Sequence, residues 1–210
     1  MYVPPHFAED RPDVLQQLMH DHPLGTLVTL EPGGLNACHI PFEIAPAGAA
    51  APHGTLRAHI ARNNPLWRNA SAAHDALVVF QGPQAYITPS WYAEKQASGK
   101  VVPTYNYATV HAYGPLRIID DAAWLHALLG RLSQRHEATR AQPWQLGDAP
   151  PDYIEKMLGA VIGIEIPLSR VIGNWKTSQN RSSADRTTIA TGLRATGAAD
   201  ALAMAGLVAR

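Results

Sequence analysis

The feature that most constrains the fold of this 210-residue chain is a series of short strand-like segments that do not alternate regularly with long helices. The first two, GTLVTL and LNACHIPFEI, flank the turn sequence EPGG, a pattern typical of a β-hairpin. A doubly wound parallel sheet would need a helix after each strand, so the pattern favours an antiparallel barrel with helices on its outside. The predicted strands are 25–30, 35–44, 55–61, 76–83, 84–89 and a long one at 101–119.

Helices are predicted before, within and after this series. These predictions rest on apolar periodicity and on Asp, Asn or Pro residues at the expected helix starts. A returning strand follows at 161–173 and is interrupted by Pro167. The predicted helices cover 10–21, 120–137 and 150–158, and a short one starts at Asn64–Pro65.

The alanine-rich segment 183–210 is predicted to be a helical tail. Ser182, with Asp185 three residues later, has the spacing of a helix cap. Gly192 and Gly197 are predicted to divide the tail into two helices. The preceding part of the chain is predicted to form the domain on which the tail packs.

Composition excludes several classes of protein. Lys and Arg number 17, as do Asp and Glu, so the formal net charge is zero, whereas proteins that chiefly grip nucleic-acid backbone usually have a basic excess. The single cysteine, Cys38, excludes an intrachain disulfide framework and a cysteine-rich zinc site. No run approaches the roughly 20 apolar residues of a membrane span, and the proline-rich N-terminus does not resemble a signal peptide. We therefore expect a soluble, cytoplasmic protein with no membrane partner.

Several common catalytic and binding motifs are missing from the sequence. It has no GxGxxG or GxxxxGK(S/T) phosphate loop, no HExxH zinc motif and no GxSxG nucleophile elbow. The ten histidines are poorly spaced for metal ligation. Cys38 and His39 are neighbours on a strand, so their side chains point to opposite faces and cannot form a catalytic pair. No metal site is expected, and no catalytic residue is named.

What remains are four stretches of polar and aromatic residues, each at the end of an apolar strand. HIARNNP (59–65) leads into a helix N-terminus, where free N–H groups and Arg62 could bind a phosphate. The alternative is that Asn64 caps the helix and Arg62 is solvated. AYITPSWY (85–92) offers hydroxyls and backbone donors to a ligand, or else it forms a turn whose aromatics close the barrel.

The other two stretches are VPTYNYATVHAYG (102–114) and GNWKTSQNR (173–181). In the first, alternation puts Thr104 and Asn106 on one face and Tyr105 on the other. An inward Asn106 would need a partner, because a buried unpaired amide costs about 1–3 kcal/mol; the alternative is a polar stripe facing solvent. The stretch 173–181 would hold a ligand with its many donors, or else it would connect a C-terminal helix to the barrel. Together the stretches describe a flat, amide-rich, phosphate-bearing ligand, and flavin mononucleotide (FMN) fits that description.

The same stretches carry a resemblance to a known family. The chain resembles the PaiB family, whose members are described as FMN-binding negative transcriptional regulators of the FMN-binding split-barrel superfamily. The similar blocks follow one another from the first residue to the helical tail. They are MYVPPHF (1–7), HIPF (39–42), HIARNNPLW (59–67), YITPSWY (86–92), VPTYNYATVHAYG (102–114) and WKTSQNR (175–181).

The resemblance implies a mainly β, α+β fold: a six-stranded antiparallel split β-barrel with peripheral helices, which forms a homodimer with FMN at the subunit interface. Residues 1–182 would be the FMN-binding split-barrel domain and 183–210 the helical tail packed on it. Tyr105 stands where the family often has Trp, and both are flat aromatics with a polar handle, so its role is expected to be kept. The implied cofactor-binding residues are His59, Arg62, Asn63, Thr88, Ser90, Trp91, Thr104, Tyr105, Asn106, Lys176, Gln179 and Asn180.

The expected function is that of an FMN-binding protein of the PaiB type, a flavin-dependent regulator that represses transcription by family resemblance. The alternative is an FMN-dependent oxidoreductase or flavin reductase acting on a small molecule, because the superfamily contains pyridoxamine-phosphate oxidases and flavin reductases. A structural dimer with an empty barrel is disfavoured by the donor-rich strand ends. A DNA or protein partner in transcription control is a further expectation. No segment has a helix-turn-helix pattern, so we expect regulation to be indirect, through the flavin state, a metabolite or a protein partner, rather than by reading DNA bases.

Overall fold

The computed structural model describes residues 1–71 and 73–209 of the chain. The chain divides into two units, and each is built from segments that lie far apart in the sequence. Unit 1 consists of Met1–His22, Phe80–His111 and Ile172–Arg210. Unit 2 consists of Pro23–Val79 and Ala112–Val171.

Strands and helices follow one another irregularly along the described residues. The strands are β1 (Ala8–Glu9), β2 (Leu24–Glu31), β3 (Gly34–Pro41), β4 (Glu43–Ala45), β5 (Thr55–Ala61), β6 (Ala76–Ile87), β7 (Thr104–Gly114), β8 (Arg117–Ile119), β9 (Val161–Pro167) and β10 (Arg170–Lys176). The helices are α1 (Pro12–Asp21), α2 (Leu66–Asn69), α3 (Glu94–Ala97), α4 (Ala122–Glu137), α5 (Pro151–Gly159), α6 (Ser183–Ala195) and α7 (Ala199–Val208). Strands β6, β7 and β10 contribute residues to both units.

In unit 1 the strands are hydrogen-bonded in the order β1, β10, β7, β6. Helix α1 packs on them through a buried stripe of Leu15, Leu18 and Met19. Gly82 and Gly173 lie beneath this helix, and a Cβ atom on Gly82 would come within 2.8 Å of Leu18. Glycine at these positions lets the helix approach the backbone of the sheet closely.

The C-terminal helices form part of the hydrophobic core of unit 1. Ile189 of α6 and Met204 of α7 are fully buried and pack in one cluster with Ile87 and Tyr92. Burying a side chain of this size contributes about 1.5–3 kcal/mol, so these helices are integral to the unit.

The start and the division of the tail follow local chemistry. The Ser182 Oγ accepts a hydrogen bond from the Asp185 amide at 3.1 Å, which confirms the predicted cap of α6. Gly197 has a φ of 70° and lies between the two helices, as predicted. Gly192 does not divide the tail, because it lies inside α6.

Unit 2 contains a regular hairpin and a separate four-stranded sheet. In the hairpin, β2 and β3 pair from Leu24 opposite Pro41 to Glu31 opposite Gly34. The start of β6 adds to the other edge of β2. The four-stranded sheet has the order β4, β5, β9, β8. Its β5 and β9 are antiparallel, and one face of the pair is buried, with Leu56, Ala58 and Ile60 opposite Ile166, Ile164 and Ile162. The other face, at Gly163, meets Trp124 of α4.

Most element predictions are confirmed, including β5 and the positions of α1, α4 and α5. The predictions for four strand segments are wrong: 35–44 is divided between β3 and β4, 76–83 and 84–89 form one strand, β6, and 101–119 is divided between β7 and β8. The segment 161–173 is interrupted at Pro167 as predicted, since β9 ends there and β10 begins at Arg170. Pro83 does not break β6, and it lies beyond the pairing of β6 with β2, which covers residues 77–79.

The fold is thus a mixture of α and β with antiparallel pairing, as expected. The six-strand barrel, the homodimer and the division at residue 182 stay predictions. In the part of the chain that the structure describes, no helix has the length and apolar character required to cross a membrane.

Candidate functional site

A small polar cavity in unit 1 brings together residues from two of the predicted stretches. We call it the polar cradle, and its volume is about 140 Å³. Asn106 is almost fully buried there, with 1% of its surface exposed. The cradle is lined by Phe7, Thr104, Asn106, Lys176, Ser178, Asn180 and Arg181.

Alternation of side chains along two chain segments builds the cradle. Thr104 and Asn106 lie on the same face of β7, as the sequence predicts. On the other side, Lys176 ends β10, and Ser178 and Asn180 continue the same alternation beyond the strand.

The turn after β10 depends on an unusual backbone conformation. Ser178 has a φ of 66°, a left-handed value that costs a residue other than glycine roughly 1–3 kcal/mol. The turn is closed by a hydrogen bond from the Arg181 amide to the Ser178 carbonyl at 3.0 Å. This conformation directs the Ser178 hydroxyl into the buried part of the cradle.

Two hydrogen bonds connect the two sides of the cradle. The Lys176 ammonium donates to Thr104 Oγ1 at 2.7 Å. The Asn106 Nδ2 donates to Ser178 Oγ at 2.8 Å. The other end of the Asn106 amide, Oδ1, is buried and has no partner among the described residues. A buried acceptor without a partner costs about 1–3 kcal/mol, so this atom is suited to a donor on a ligand.

The chemistry of the lining is positive and rich in donors. Lys176 and Arg181 supply the charge, and the described lining contains no acidic side chain. Asn180 is exposed, and Lys176 and Arg181 are half-buried, so the cradle opens to solvent on their side. Such a site can hold an electron-rich ligand that carries both acceptors and at least one donor.

The odd-numbered residues of the same segment face a different cavity. Trp175, Thr177 and Gln179 line it together with Glu9 and Arg186. Gln179 is folded back on its own segment: its Oε1 accepts from the Thr177 amide at 2.8 Å, and its Nε2 donates to the Trp175 carbonyl. The structure therefore does not bring Gln179 into the cradle.

The stretch that ends β6 is also separate from the cradle lining. Thr88 Oγ1 accepts from the Ser90 amide at 3.3 Å and caps a short 3₁₀ turn. The ring of Trp91 packs against Gly192 of α6, where a Cβ atom would lie 2.5 Å from the indole. The local geometry of this stretch is that of a turn whose aromatics pack on the helices.

The first predicted stretch belongs to unit 2. Arg62 makes a bidentate ion pair with Asp120, with Nη2 2.6 Å from Oδ1, and its Nε donates to the Gly159 carbonyl at 2.8 Å. The hydrogen bond from Arg62 holds the pKa of Asp120 below its usual value. Asn63 is exposed on this turn. A phosphate would reach Arg62 only in competition with Asp120.

Two further predicted residues have distinct environments. His59 lies on β5 opposite Gly163, and burial lowers its pKa; its Nδ1 has no partner among the described residues. Tyr105 is 48% exposed on the face of β7 away from Asn106. The site assignments of both residues stay predictions.

Three cradle residues were not predicted. Ser178 and Arg181 lie within a stretch that the sequence singles out, and alternation continued past Lys176 would have found Ser178. Phe7 lies in the N-terminal block of the family resemblance, but nothing in its local pattern marks it as a site residue. No group of three or more His, Cys, Asp or Glu side chains suited to a metal occurs among the described residues.

The fold is shared with flavin-binding proteins of known structure. A FAD and heme binding protein from Mycobacterium smegmatis superimposes with a TM-score of 0.59 at 15% identity, covering 86% of this chain and 78% of that one. The flavocytochrome Anf3 from Azotobacter vinelandii superimposes with a TM-score of 0.55 at 13% identity, covering 83% of this chain and 72% of that one. At these identities the likeness shows the fold alone.

Sequence comparison then defines the family. The family described as "Putative FMN-binding domain" matches residues 1–170, and the chain belongs to it. Protease synthase and sporulation protein PAI 2 of Bacillus subtilis is 32% identical over 88% of this chain and 85% of its own length. Protein AN0679 of Emericella nidulans is 36% identical over 91% of this chain and 90% of its own length. The predicted resemblance to the PaiB family and the prediction of FMN as cofactor are confirmed.

The polar cradle is chemically suited to a part of FMN. The flavin ring carries carbonyl acceptors and an N–H donor, and the cradle offers cationic and hydroxyl donors beside the unpartnered Asn106 Oδ1. Its volume of about 140 Å³ is below the roughly 300–1,000 Å³ of complete ligand sites, so it can enclose one end of the cofactor.

Proposed function

We propose that this protein is an FMN-binding regulator of the PaiB type, in which the polar cradle holds one end of the flavin. The observation that carries the proposal is the buried Oδ1 of Asn106, which has no partner among the described residues and belongs to a cavity that Lys176 also lines, in a member of an FMN-binding family. When bound, FMN supplies a two-electron redox centre and a visible chromophore. The protein supplies binding, orientation and local charge.

The cradle residues divide these tasks. Lys176 is oriented by Thr104 and brings a positive charge to the ligand. Asn106 is oriented by Ser178 and presents its carbonyl. The residues carried over from the family outside the cradle, among them His59, Thr88 and Tyr105, are proposed to contact other parts of FMN.

The first experiment measures FMN binding itself. The purified protein is expected to show flavin absorption or to quench the fluorescence of added FMN. Lys176→Ala is expected to weaken binding about tenfold or more, because a charge-assisted hydrogen bond contributes about 1.5–3 kcal/mol. Lys156→Ala, at an exposed position on α5, is the matched control. Protein that ignores FMN altogether would end the proposal.

The regulatory part of the proposal is supported by the resemblance to the PaiB family, whose members are described as negative transcriptional regulators. The zero net charge argues for control through flavin state, a metabolite or a partner protein rather than through strong DNA binding. Transcript levels would be compared in the source organism lacking the gene and complemented with wild type or Lys176→Ala. Genes repressed by wild type but not by the variant are expected; unchanged transcripts would contradict regulation.

A second candidate is an FMN-dependent oxidoreductase or flavin reductase acting on a small molecule. The Lys176 ammonium favours it, because a positive charge near the ring stabilises the negative charge of reduced flavin. The test is NAD(P)H oxidation by the FMN-loaded protein. Turnover that Lys176→Ala reduces would favour the oxidoreductase, and absence of turnover with intact FMN binding would favour the regulator.

We also infer that two copies associate, as in the resembling family. Exposed apolar side chains of unit 1, namely Tyr86, Val102 and Tyr105, support this inference, because such residues are favoured at interfaces. Light scattering after size-exclusion chromatography is expected to give the mass of two chains. A mass of one chain at micromolar concentration would contradict the dimer.

A further inference from the structure

We infer that the polar cradle recognises the pyrimidine edge of the flavin ring, which presents the C2 carbonyl, the N3–H and the C4 carbonyl, and not the phosphate of FMN. This inference rests on the proposed function and specifies which end of the cofactor enters the cradle. It is carried by the donors and the acceptor that Lys176, Asn106 and Ser178 bring to one cavity.

The central group is the acceptor Oδ1 of Asn106. The side chain is 1% exposed, and its Nδ2 donates to Ser178 at 2.8 Å, which leaves Oδ1 as the other end of the amide. The Oδ1 can be satisfied only by a donor. The phosphate of FMN is mostly doubly ionised at neutral pH, offers acceptor oxygens and would place them against another acceptor. The N3–H of the ring is a donor.

Two side chains that can donate hydrogen bonds, Lys176 and Ser178, line the cradle together with Asn106. The Lys176 ammonium has three N–H groups, one of which is used on Thr104 Oγ1. Ser178 Oγ accepts from Asn106, so its own hydrogen is available to donate. Lys176, Asn106 and Ser178 thus offer a donor, an acceptor and a donor. The flavin edge is the complement: an acceptor, a donor and an acceptor.

The size and rigidity of the cradle fit this assignment. A volume of about 140 Å³ admits the edge of a ring but not a complete FMN. The left-handed turn at Ser178, closed by the Arg181 amide, keeps the hydroxyl beside Asn106 before any ligand arrives. Ser178 is therefore a positioning residue for the Asn106 carbonyl.

The test compares three ligands: FMN, riboflavin, which lacks the phosphate, and FMN methylated at N3, which lacks the donor. Wild type is expected to bind FMN at least about tenfold more tightly than the N3-methyl form, because the buried acceptor then has no partner. Asn106→Ala is expected to lose this discrimination. Lys176→Met is expected to weaken the binding of FMN and of riboflavin by the same factor. The exposed control Lys156→Met is expected to change neither affinity.

The outcomes separate this inference from the proposed function. If Lys176→Met lowers the affinity for FMN and leaves the affinity for riboflavin unchanged, the cradle holds the phosphate. The inference then fails, while the proposal of FMN binding stands. Equal affinity of wild type for FMN and its N3-methyl form also overturns the inference. If wild type binds none of the three ligands, the proposed function itself fails. The comparison of ligands on wild type decides the matter even where Asn106→Ala does not fold.

Discussion

At the scale of single residues, the cradle depends on one side-chain amide and one backbone conformation. Asn106 and Ser178 are 72 positions apart in the sequence, and each satisfies a polar group of the other. Ser178 does so from a left-handed φ of 66° that glycine adopts without cost. The hydroxyl and the backbone conformation can therefore be tested separately at this one position.

Replacing Ser178 by alanine removes the partner of Asn106 Nδ2 and is expected to lower the free energy of unfolding by about 1–3 kcal/mol. Replacing it by glycine loses the same hydrogen bond but relieves the left-handed strain of about 1–2 kcal/mol. The glycine variant is thus expected to be more stable than the alanine variant by about 1 kcal/mol. Urea unfolding of both variants measures the difference, and equal stability would show that the turn is unstrained.

His59 is expected to make the stability of the protein dependent on pH. Burial lowers its pKa below the ordinary value of 6.5, so the neutral imidazole favours the folded state. Its contribution is complete above about pH 6.5 and is lost as the pH falls towards the lower folded pKa. Thermal unfolding from pH 7 to 5 is expected to show a smaller fall for His59→Gln than for wild type. The exposed His53→Gln is the control and should retain the wild-type fall.

Local periodicity predicted part of the site, and long-range contacts decided the rest. Alternation along a strand correctly placed Thr104 with Asn106, because it requires only the pleat. The pairing of Arg62 with Asp120 joins residues 58 positions apart, and no local pattern indicates it. The φ of Ser178 likewise depends on the chain around it, since serine has no preference for that conformation.

At the scale of elements, the sequence predicted strands well where one apolar face faces a core, as in β5. It failed where the effect of a proline depends on the neighbouring strand. Pro83 is tolerated within β6, at a point beyond the pairing of that strand with β2, which ends at Val79. Pro115, in contrast, lies between β7 and β8, which pair in different sheets. The two prolines look alike in sequence, so pairing partners and not local pattern decide their effect.

Two glycines inside C-terminal helices are expected to respond oppositely to alanine. Gly192→Ala places a methyl group 2.5 Å from the Trp91 indole, and overpacking of this kind costs about 1–3 kcal/mol. Gly206→Ala in α7 meets nothing within 4 Å and is expected to stabilise by up to about 1 kcal/mol, because alanine favours helix. Thermal unfolding compares them. A Gly192→Ala variant as stable as Gly206→Ala would show that α6 and Trp91 are not in close contact.

At the scale of the whole molecule, ligand binding and folding are linked. FMN at about 100 times its dissociation constant is expected to raise the free energy of unfolding by about 2.7 kcal/mol. The increase is expected to be smaller for Lys176→Ala at the same FMN concentration, since the affinity is lower. Differential scanning fluorimetry or calorimetry with and without FMN measures it. An unchanged melting temperature in wild type would contradict saturable binding to the folded state.

The position of β10 has a consequence for how this family is delimited. The family match ends at residue 170, whereas Lys176, Ser178, Asn180 and Arg181 all come later in the chain. A fragment cut at that boundary would keep Asn106 but lose both the hydroxyl that holds its amide and the nearby cations. The end of the family match and the end of the cradle therefore lie at different places on this chain. Proteins compared only over the matched region are compared without four of the seven residues that line the cradle.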